Sequence, residues 1–362
     1  MNYGMLSVDL AFGDFCRVAL GHGVRIEHFN VEEELVVDCG RSRQLRYGLL
    51  HSPEEQFAEF QAVVIWGDFT TSQAYGDGVA KHLMSKHGIE RTSALDVYYR
   101  NLLLEQCSDS LLRRVFVVSS SILPNSEGAL APRYRDAVSR LYRLAGAIIP
   151  RDPMSAAMAQ ILRGNSVNVT CGVDAAFFLS SALPPYVGGR DGIGYSFGRT
   201  AGPKTSVYRR FAAMRFCQAV SRSTKLRLRH IRWNSSGGDA EGFHNTLDEL
   251  RRCRLVITDT YHCAVNALRE GVPVICIGDG SKHQTGTLGD KKKEYLFHGL
   301  MAQEMYVFAD NLSIMRAGAD AAGQYVADVL DEQYSSRILG NVHTAMRVQT
   351  AAFQRAILEL AS

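Results

Sequence analysis

Short apolar runs alternate with longer amphipathic stretches along most of the chain. Runs of four to six apolar residues are typical of strands that are buried on both faces of a parallel sheet. The stretches between them carry apolar residues at helical spacing. This alternation predicts an α/β protein with parallel sheets. Strands are predicted at 62–66, 115–120, 147–151, 166–174, 192–198, 226–231, 254–258, 272–278 and 305–309.

The intervening stretches predict the helices. Ser52, Pro53 and Glu55 have the residue types expected at the N-cap, N1 and N3 positions of one of them. A Rossmann-like domain normally opens with a strand, yet only Met1–Tyr3 precede the first predicted helix, so that strand is either absent or truncated. Further helices are predicted at 5–21, 131–144, 153–162, 205–220, 241–252, 261–270, around 295–300, at about 314–331 and at 335–360.

A linker divides the two alternating sets. The segment 180–192 holds two prolines and three glycines, which is typical of a connection between domains. We therefore expect a Rossmann-like domain at 1–182, a second one at 190–313, and closing helices at 314–362. Two such domains facing each other create a central cleft at the carboxyl ends of their strands, where ligands bind in open α/β sheets.

Composition and charge exclude several classes of protein. The 362 residues are 46% hydrophobic and 21% charged with a net charge of +3, so disorder, coiled coils and nucleic-acid binding are not expected. No apolar run is long enough to span a membrane, and the first ten residues lack a signal-peptide pattern. The eight cysteines are scattered without a C-x-x-C pair, which indicates reduced thiols in a cytoplasmic protein and no structural zinc site.

The segment 256–278 is the strongest candidate for chemistry. A strand ends at Thr258, Asp259 and Thr260 are good N-cap types, and His262 falls in the first turn of the next helix. Free amides and the helix dipole favour an anion there, and a histidine can supply a proton to it. The structural alternative is that Asp259 only caps the helix and His262 bonds to the backbone.

Four segments, in this order, resemble the polysaccharide pyruvyltransferase family. They are the Asn-Tyr-Gly turn and helix at 2–15, the Arg-Asp-x-x-Ser junction at 148–162, the Asp-x-x-Phe segment at 172–179 and TDTYH within 256–278. The resemblance implies a fold similar to the two-domain GT-B glycosyltransferases. It also implies transfer of an enolpyruvyl-derived group from phosphoenolpyruvate to a sugar or glycan precursor, forming a pyruvate ketal, with no metal or other cofactor.

This chemistry needs an acid for the methylene carbon and a clamp for the anionic donor. The resemblance implies His262 as the acid and Arg199 in the clamp, with Asp259, Thr260 and Tyr261 at the donor site. Many members have arginine where this chain has Thr260, so a clamp cation is missing. Lys282, His283 or the triplet Lys291–Lys293 could supply the missing positive charge, and Lys293 is included in the predicted site. A lysine triplet is also typical of a solvated helix start.

The first domain offers candidates for the acceptor side at its strand ends. Gly67 and Asp68 follow one predicted strand, and Ser119 and Ser120 follow the next. Ordinary turn chemistry explains the same residue types. After the third strand, Arg151 either faces the acceptor or pairs with Asp152, which precedes Pro153 as a helix cap; Asp174 either binds an acceptor hydroxyl or holds a turn.

Two other functions remain open at this point. A nucleotide-sugar glycosyltransferase could have the same architecture, but no glutamate that could hold a ribose follows 272–278 before Glu294. A binding protein without catalysis is the other possibility, because of Thr260. The expected partners are phosphoenolpyruvate and a sugar acceptor, which could be lipid-linked and would then bring a cytoplasmic enzyme to the inner membrane surface.

Overall fold

The computed structural model forms two compact units. The N-terminal unit comprises Leu10–Leu179 and Ala345–Ser362, and the C-terminal unit comprises Met1–Asp9 and Ser180–Thr344. The chain thus passes from one unit to the other at the predicted linker. The first nine residues belong to the C-terminal unit, and the last eighteen belong to the N-terminal unit. The structure describes residues 3–41, 43–67, 70–122, 131–164, 169–180, 188–197, 206–233, 239–278, 288–308, 325, 326, 330 and 332–361.

Helices surround parallel sheets in both units, which confirms the α/β class. The strands are β1 (His28–Asn30), β2 (Leu35–Asp38), β3 (Gln44–Leu49), β4 (Val63–Trp66), β5 (Val115–Val118), β6 (Ala147–Ile149), β7 (Ile193–Ser196), β8 (Leu228–His230), β9 (Leu255–Thr258), β10 (Val274–Gly278) and β11 (Tyr306–Phe308). The helices are α1 (Tyr3–Leu20), α2 (Pro53–Gln56), α3 (Gln73–His87), α4 (Arg91–Val97), α5 (Asp109–Leu112), α6 (Pro132–Leu144), α7 (Pro153–Arg163), α8 (Ser206–Thr224), α9 (Ala240–Arg252), α10 (Tyr261–Arg269), α11 (Leu288–Gly299) and α12 (Glu332–Ala361).

The N-terminal unit is built on a parallel sheet of order β4-β5-β6. All four residues of β5 are buried, because this strand lies in the middle and both its faces are covered. A second sheet, of order β1-β3-β2, has one parallel and one antiparallel pair. Its short strands are only partly buried, and their weak apolar pattern did not predict them from sequence.

The C-terminal unit has a five-stranded parallel sheet of order β11-β10-β9-β7-β8. The chain leaves β7 to form β8 on one side and returns to form β9 on the other. Strand order therefore reverses between β7 and β9. Ligands of open α/β sheets bind at such a switch point, outside the carboxyl ends of the strands.

One predicted strand is wrong. Residues 169–174 of the predicted strand 166–174 form no strand, and the chain enters a 3₁₀ turn at Ala175–Phe178 capped by Asp174. Apolar alternation in so short a segment cannot distinguish a strand from an extended connection. Most of the predicted helix 314–331 lies outside the described residues. No helix in the described ranges is long and apolar enough to cross a bilayer.

Candidate functional site

The carboxyl ends of β7 and β9 are joined by side-chain and backbone hydrogen bonds. The Thr258 hydroxyl donates to the Ser196 carbonyl oxygen at 2.8 Å, and the Asp259 amide donates to the same oxygen at 3.3 Å. The Thr258 Oγ1 accepts from the Thr260 amide at 3.0 Å. This arrangement holds the turn after β9 at the switch point of the sheet.

Helix α10 begins in this turn with Thr260 at its N-cap. The Thr260 hydroxyl donates to Asp259 Oδ1 at 3.1 Å and makes no capping bond to the helix. The first-turn amides of a helix have no partner within the helix, and the positive end of its dipole lies there. The dipole therefore favours negative charge at this helix end, where the Asp259 side chain lies.

His262 lies in the first turn of α10 and is 8% exposed. Its ring makes an edge contact with Tyr261, with centroids 5.1 Å apart, and its Nε2 is shielded from solvent. The start of α1 lies against the ring: a Cβ added at Gly4 would come within 2.4 Å of His262 Nδ1. Glycine at this position therefore allows the close approach of α1 to the imidazole.

Two more buried polar side chains join α1 to α10. The Asn266 amide nitrogen donates to the His262 carbonyl oxygen at 2.8 Å and to Ser7 Oγ at 3.2 Å. The Ser7 hydroxyl donates to the Gly4 carbonyl oxygen at 2.7 Å. Gly4 and Ser7, at the start of α1, thus pack on the helix that carries His262.

Lysines of α11 border the same helix start. Lys293 is 2% exposed, and its ammonium donates to the carbonyl oxygens of Asp259 and Ile277, both at 3.0 Å. It therefore ties together the ends of β9 and β10, and the expectation of a solvated helix start is wrong for this residue. Lys292 is partly exposed, with its Nζ 4.8 Å from the centre of the Tyr261 ring.

The N-terminal unit carries a buried polar cluster at the ends of β5 and β6. Arg151 donates from Nη1 to Asp174 Oδ2 at 2.7 Å and from Nε to Ser121 Oγ at 2.6 Å. Asp152 caps α7 by accepting from the Ser155 amide at 2.7 Å, and it also accepts from the Ser121 hydroxyl at 3.0 Å. Arg151 thus forms its ion pair with Asp174, while Asp152 acts as the predicted helix cap.

The turns after β4 and β5 are held in left-handed backbone conformations. Gly67 has φ +68° and donates its amide to the Val118 carbonyl oxygen at 2.8 Å. Ser119 has φ +57°, which is uncommon for a residue other than glycine and is often found at functional sites. Gln349 of α12 donates to Ser119 Oγ at 2.7 Å and accepts from the Val173 amide at 2.8 Å.

The family described as polysaccharide pyruvyl transferase matches residues 59–281, which is more than half of the chain. The chain belongs to this family. It is a family of transferases, so the protein is a transferase. No curated protein sequence matches.

Two solved structures show limited similarity to this transferase. A candidate UDP-N-acetylglucosamine 2-epimerase from Listeria monocytogenes is 13% identical, with a TM-score of 0.40 over 74% of this chain and 72% of that one. The apo structure of UGT2 from Phytolacca americana is 11% identical, with a TM-score of 0.37 over 85% of this chain and 78% of that one. Similarity at this level assigns neither a substrate nor a reaction.

The structure brings the predicted site residues together within each unit. In the C-terminal unit, the turn after β9 and the start of α10 unite Asp259, Thr260, Tyr261 and His262, and Lys293 supports them. In the N-terminal unit, Gly67, Ser119, Ser120, Arg151 and Asp152 all lie at the carboxyl ends of β4–β6. Arg199, Asp68, Lys282 and His283 lie outside the described residues.

Several buried polar residues of the transferase were missed from sequence. The hydroxyl of Thr71 lies 2.8 Å from that of Tyr142, and Tyr134 donates to the Thr71 carbonyl oxygen at 2.7 Å. Burial raises the pKa of Tyr142 to about 12, although the Thr71 and Ser120 hydroxyls favour its ionised form. Its phenol therefore stays neutral and can hold the loop before α3. Ser7, Asn266 and Gln349 are also buried polar residues that the sequence analysis did not identify, although polar residues at predicted core positions were an available signal.

The described residues hold no cluster of three or more histidine, cysteine or acidic side chains arranged to bind a metal ion.

Proposed function

We propose that this transferase moves the enolpyruvyl-derived group of phosphoenolpyruvate onto two hydroxyls of a sugar or glycan precursor. The products are a pyruvate ketal and inorganic phosphate. The observation that carries the proposal is the position of His262 in the first turn of α10, at the switch point of the sheet. Membership of the pyruvyl transferase family connects this geometry with pyruvyl transfer.

The donor has two anionic groups, a phosphate and a carboxylate. The amides at the start of α10 and the partly exposed Lys292 provide positive potential for one of them. Lys293 acts indirectly in this proposal, because two of the three N–H groups of its ammonium already bind strand-end carbonyl oxygens. Arg199 is proposed as the second cation of the donor clamp.

The proposed reaction begins with protonation of the donor. His262 gives a proton to the methylene carbon, which becomes a methyl group, and positive charge develops at the neighbouring carbon. One sugar hydroxyl attacks this carbon and loses its proton. The carbon–oxygen bond to phosphate breaks, and the second hydroxyl attacks to close the ketal and releases the other proton. Because Nε2 is shielded here, the imidazole must turn toward the bound donor, as catalytic groups often do on binding.

The N-terminal strand ends are proposed to form the acceptor side. Ser119, Ser120, Arg151 and Asp152 are all at most 5% exposed, so their part is to fix the turns that meet the acceptor. The proposed setting is the cytoplasm, with association at the inner membrane surface if the acceptor is lipid-linked.

Deuterium labelling tests the reaction directly. The protein, phosphoenolpyruvate and a panel of p-nitrophenyl pyranosides would be incubated in deuterium oxide. We expect acceptor-dependent phosphate release and a ketal methyl group that carries one deuteron, measured by NMR and mass spectrometry. Glycosyl transfer from UDP- or GDP-sugars without any reaction of phosphoenolpyruvate would instead establish a glycosyltransferase. Donor binding without turnover on all acceptors would indicate a protein that has lost catalysis.

Gly4→Ala is expected to lower the rate of transfer strongly. The new methyl group would lie 2.4 Å from His262 Nδ1 and 2.8 Å from its Cγ, so the imidazole must move. Misplacing a catalytic group by about 1 Å can cost roughly a hundredfold in rate. We expect a loss of this order in kcat, measured by phosphate release.

Gly13→Ala is the matched control for this substitution. Gly13 lies in the same helix, and a Cβ added there meets nothing within 4 Å. It should keep full activity and gain slight stability, since alanine is the better helix former. If Gly4→Ala transfers at the rate of Gly13→Ala, the imidazole position does not govern the reaction.

A further inference from the structure

Basic charge is concentrated in one segment of the C-terminal unit. Residues 192–238 contain ten lysines and arginines and no aspartate or glutamate. Since the whole chain has a net charge of +3, the remainder carries 3 − 10 = −7. The low overall charge therefore conceals a strongly basic region. The ten cations are Arg199, Lys204, Arg209, Arg210, Arg215, Arg222, Lys225, Arg227, Arg229 and Arg232.

Helix α8 presents part of this charge on one face. Its inner face is apolar and buried, and includes Phe216, Cys217 and Val220. The opposite face is defined here as the α8 basic face. It comprises Arg210, Phe211, Met214, Arg215, Gln218, Arg222 and the following Lys225, all of them exposed or partly exposed.

An aromatic side chain stands among these cations. Phe211 is 56% exposed, and the guanidinium of Arg215 lies 5.9 Å from the centre of its ring. Met214, one helical turn from Arg210, is partly exposed beside it. The α8 basic face thus combines four cations with two apolar side chains and has no carboxylate in its own segment.

We infer that the α8 basic face docks on a membrane surface of anionic phospholipids. Lysine and arginine side chains near such a surface are attracted to its negative potential, and an exposed phenylalanine gains by entering the boundary of the acyl chains. Phe211 and the aliphatic Met214 can both enter the acyl boundary of a bilayer, whereas an anionic glycan offers no apolar surface; stacking of nucleic-acid bases on Phe211 is the competing outcome that the test below distinguishes. This inference identifies the surface through which the proposed membrane association would occur. It does not depend on the proposed donor chemistry.

Vesicle co-sedimentation of the full chain tests this surface. We expect binding to phosphatidylcholine vesicles that contain phosphatidylglycerol, weaker binding at high salt, and little binding to pure phosphatidylcholine. Each cation near an anionic surface contributes roughly fivefold to binding, so R210A/R215A/R222A/K225A should lose well over tenfold. Phe211→Ser should weaken binding, and the Phe211→Trp variant should show blue-shifted emission from the new indole on anionic vesicles.

A second quadruple variant controls for net charge. K81A/R135A/R143A/R252A removes four exposed cations elsewhere and should bind vesicles like the parent protein. Equal losses in the two variants, or vesicle binding unaffected by Phe211→Ser, would overturn the inference. Tighter binding to an RNA homopolymer than to vesicles would do the same. Phosphate release with a water-soluble p-nitrophenyl pyranoside should be unchanged in both variants, which separates membrane docking from the transfer reaction.

Discussion

His262→Ala is expected to reduce kcat for phosphoenolpyruvate-dependent transfer by about a hundred- to ten-thousandfold. This is the usual contribution of a positioned general acid. The residue lies at the start of α10, where the structure offers an imidazole beside a helix end suited to the anionic donor. Loss of the acid should lower kcat much more than it changes KM, because α10, Lys292 and Arg199 would still bind the donor. Phosphate release at varied donor concentration measures both parameters.

His244→Ala is the matched control for this variant. His244 is also a buried histidine of the C-terminal unit, 6% exposed, but it is carried by α9 and not by the turn after β9 or the start of α10. It should retain most of the parent turnover. If the His262→Ala protein folds and turns over like the parent, His262 is not the general acid. The transfer reaction itself would still be supported if the deuterium experiment gives a ketal methyl group that carries one deuteron.

Arg151→Leu is expected to destabilise the N-terminal unit by about 3–5 kcal/mol. Arg151 and Asp174 form an ion pair at 2.7 Å with side chains 1% and 0% exposed. Removing one partner of such a buried pair leaves a charge that is neither solvated nor compensated. The loss should also loosen the turns after β5 and β6, since Arg151 holds Ser121 as well. Urea unfolding gives the change in unfolding free energy.

The two tryptophans allow each unit to be followed separately. Trp66 lies in β4 of the N-terminal unit and Trp233 lies in the C-terminal unit, and the chain has no others. In a Trp233→Phe background, the fluorescence of Trp66 should report the lower stability of the N-terminal unit caused by Arg151→Leu. Arg135→Leu, which removes an exposed arginine, is the control and should have little effect on stability. An additional Asp174→Leu change should restore part of the stability. Equal unfolding curves for Arg151→Leu and Arg135→Leu would show that this ion pair is not important for stability.

The elements that sequence predicted well have strong local signals. Strands β4, β5, β9 and β10 coincide with short apolar runs, and α10 starts where cap-type residues follow a buried strand. The turn 259–262 could be predicted as a candidate site because the start of a helix after a strand favours an anion through its own amides and dipole, which depend only on neighbouring residues. The small sheet β1-β3-β2 was missed because its strands are short and partly exposed, so they have no marked alternation.

Contacts between distant segments escaped prediction for a different reason. Lys293 looked like part of a solvated triplet, yet its ammonium is buried on the carbonyl oxygens of Asp259 and Ile277. Gln349 looked like an ordinary polar residue of a long helix, yet it bonds to Ser119, 230 residues away in sequence. The spacing of side chains along the sequence does not show which of them will bond to distant backbone carbonyl groups or to a hydroxyl at the end of a strand.

The sequence by itself determined the α/β alternation, the division near residue 180 and the helix start that carries His262, because these depend on neighbours a few residues apart. Tertiary structure alone decided that Gly4 lies against His262, that Arg151 pairs with Asp174, and that the cations of α8 share one exposed face with Phe211. Those outcomes depend on which segments pack together. Packing brings charged side chains and backbone segments that are far apart in the sequence into contact, and local sequence patterns do not show which ones will meet.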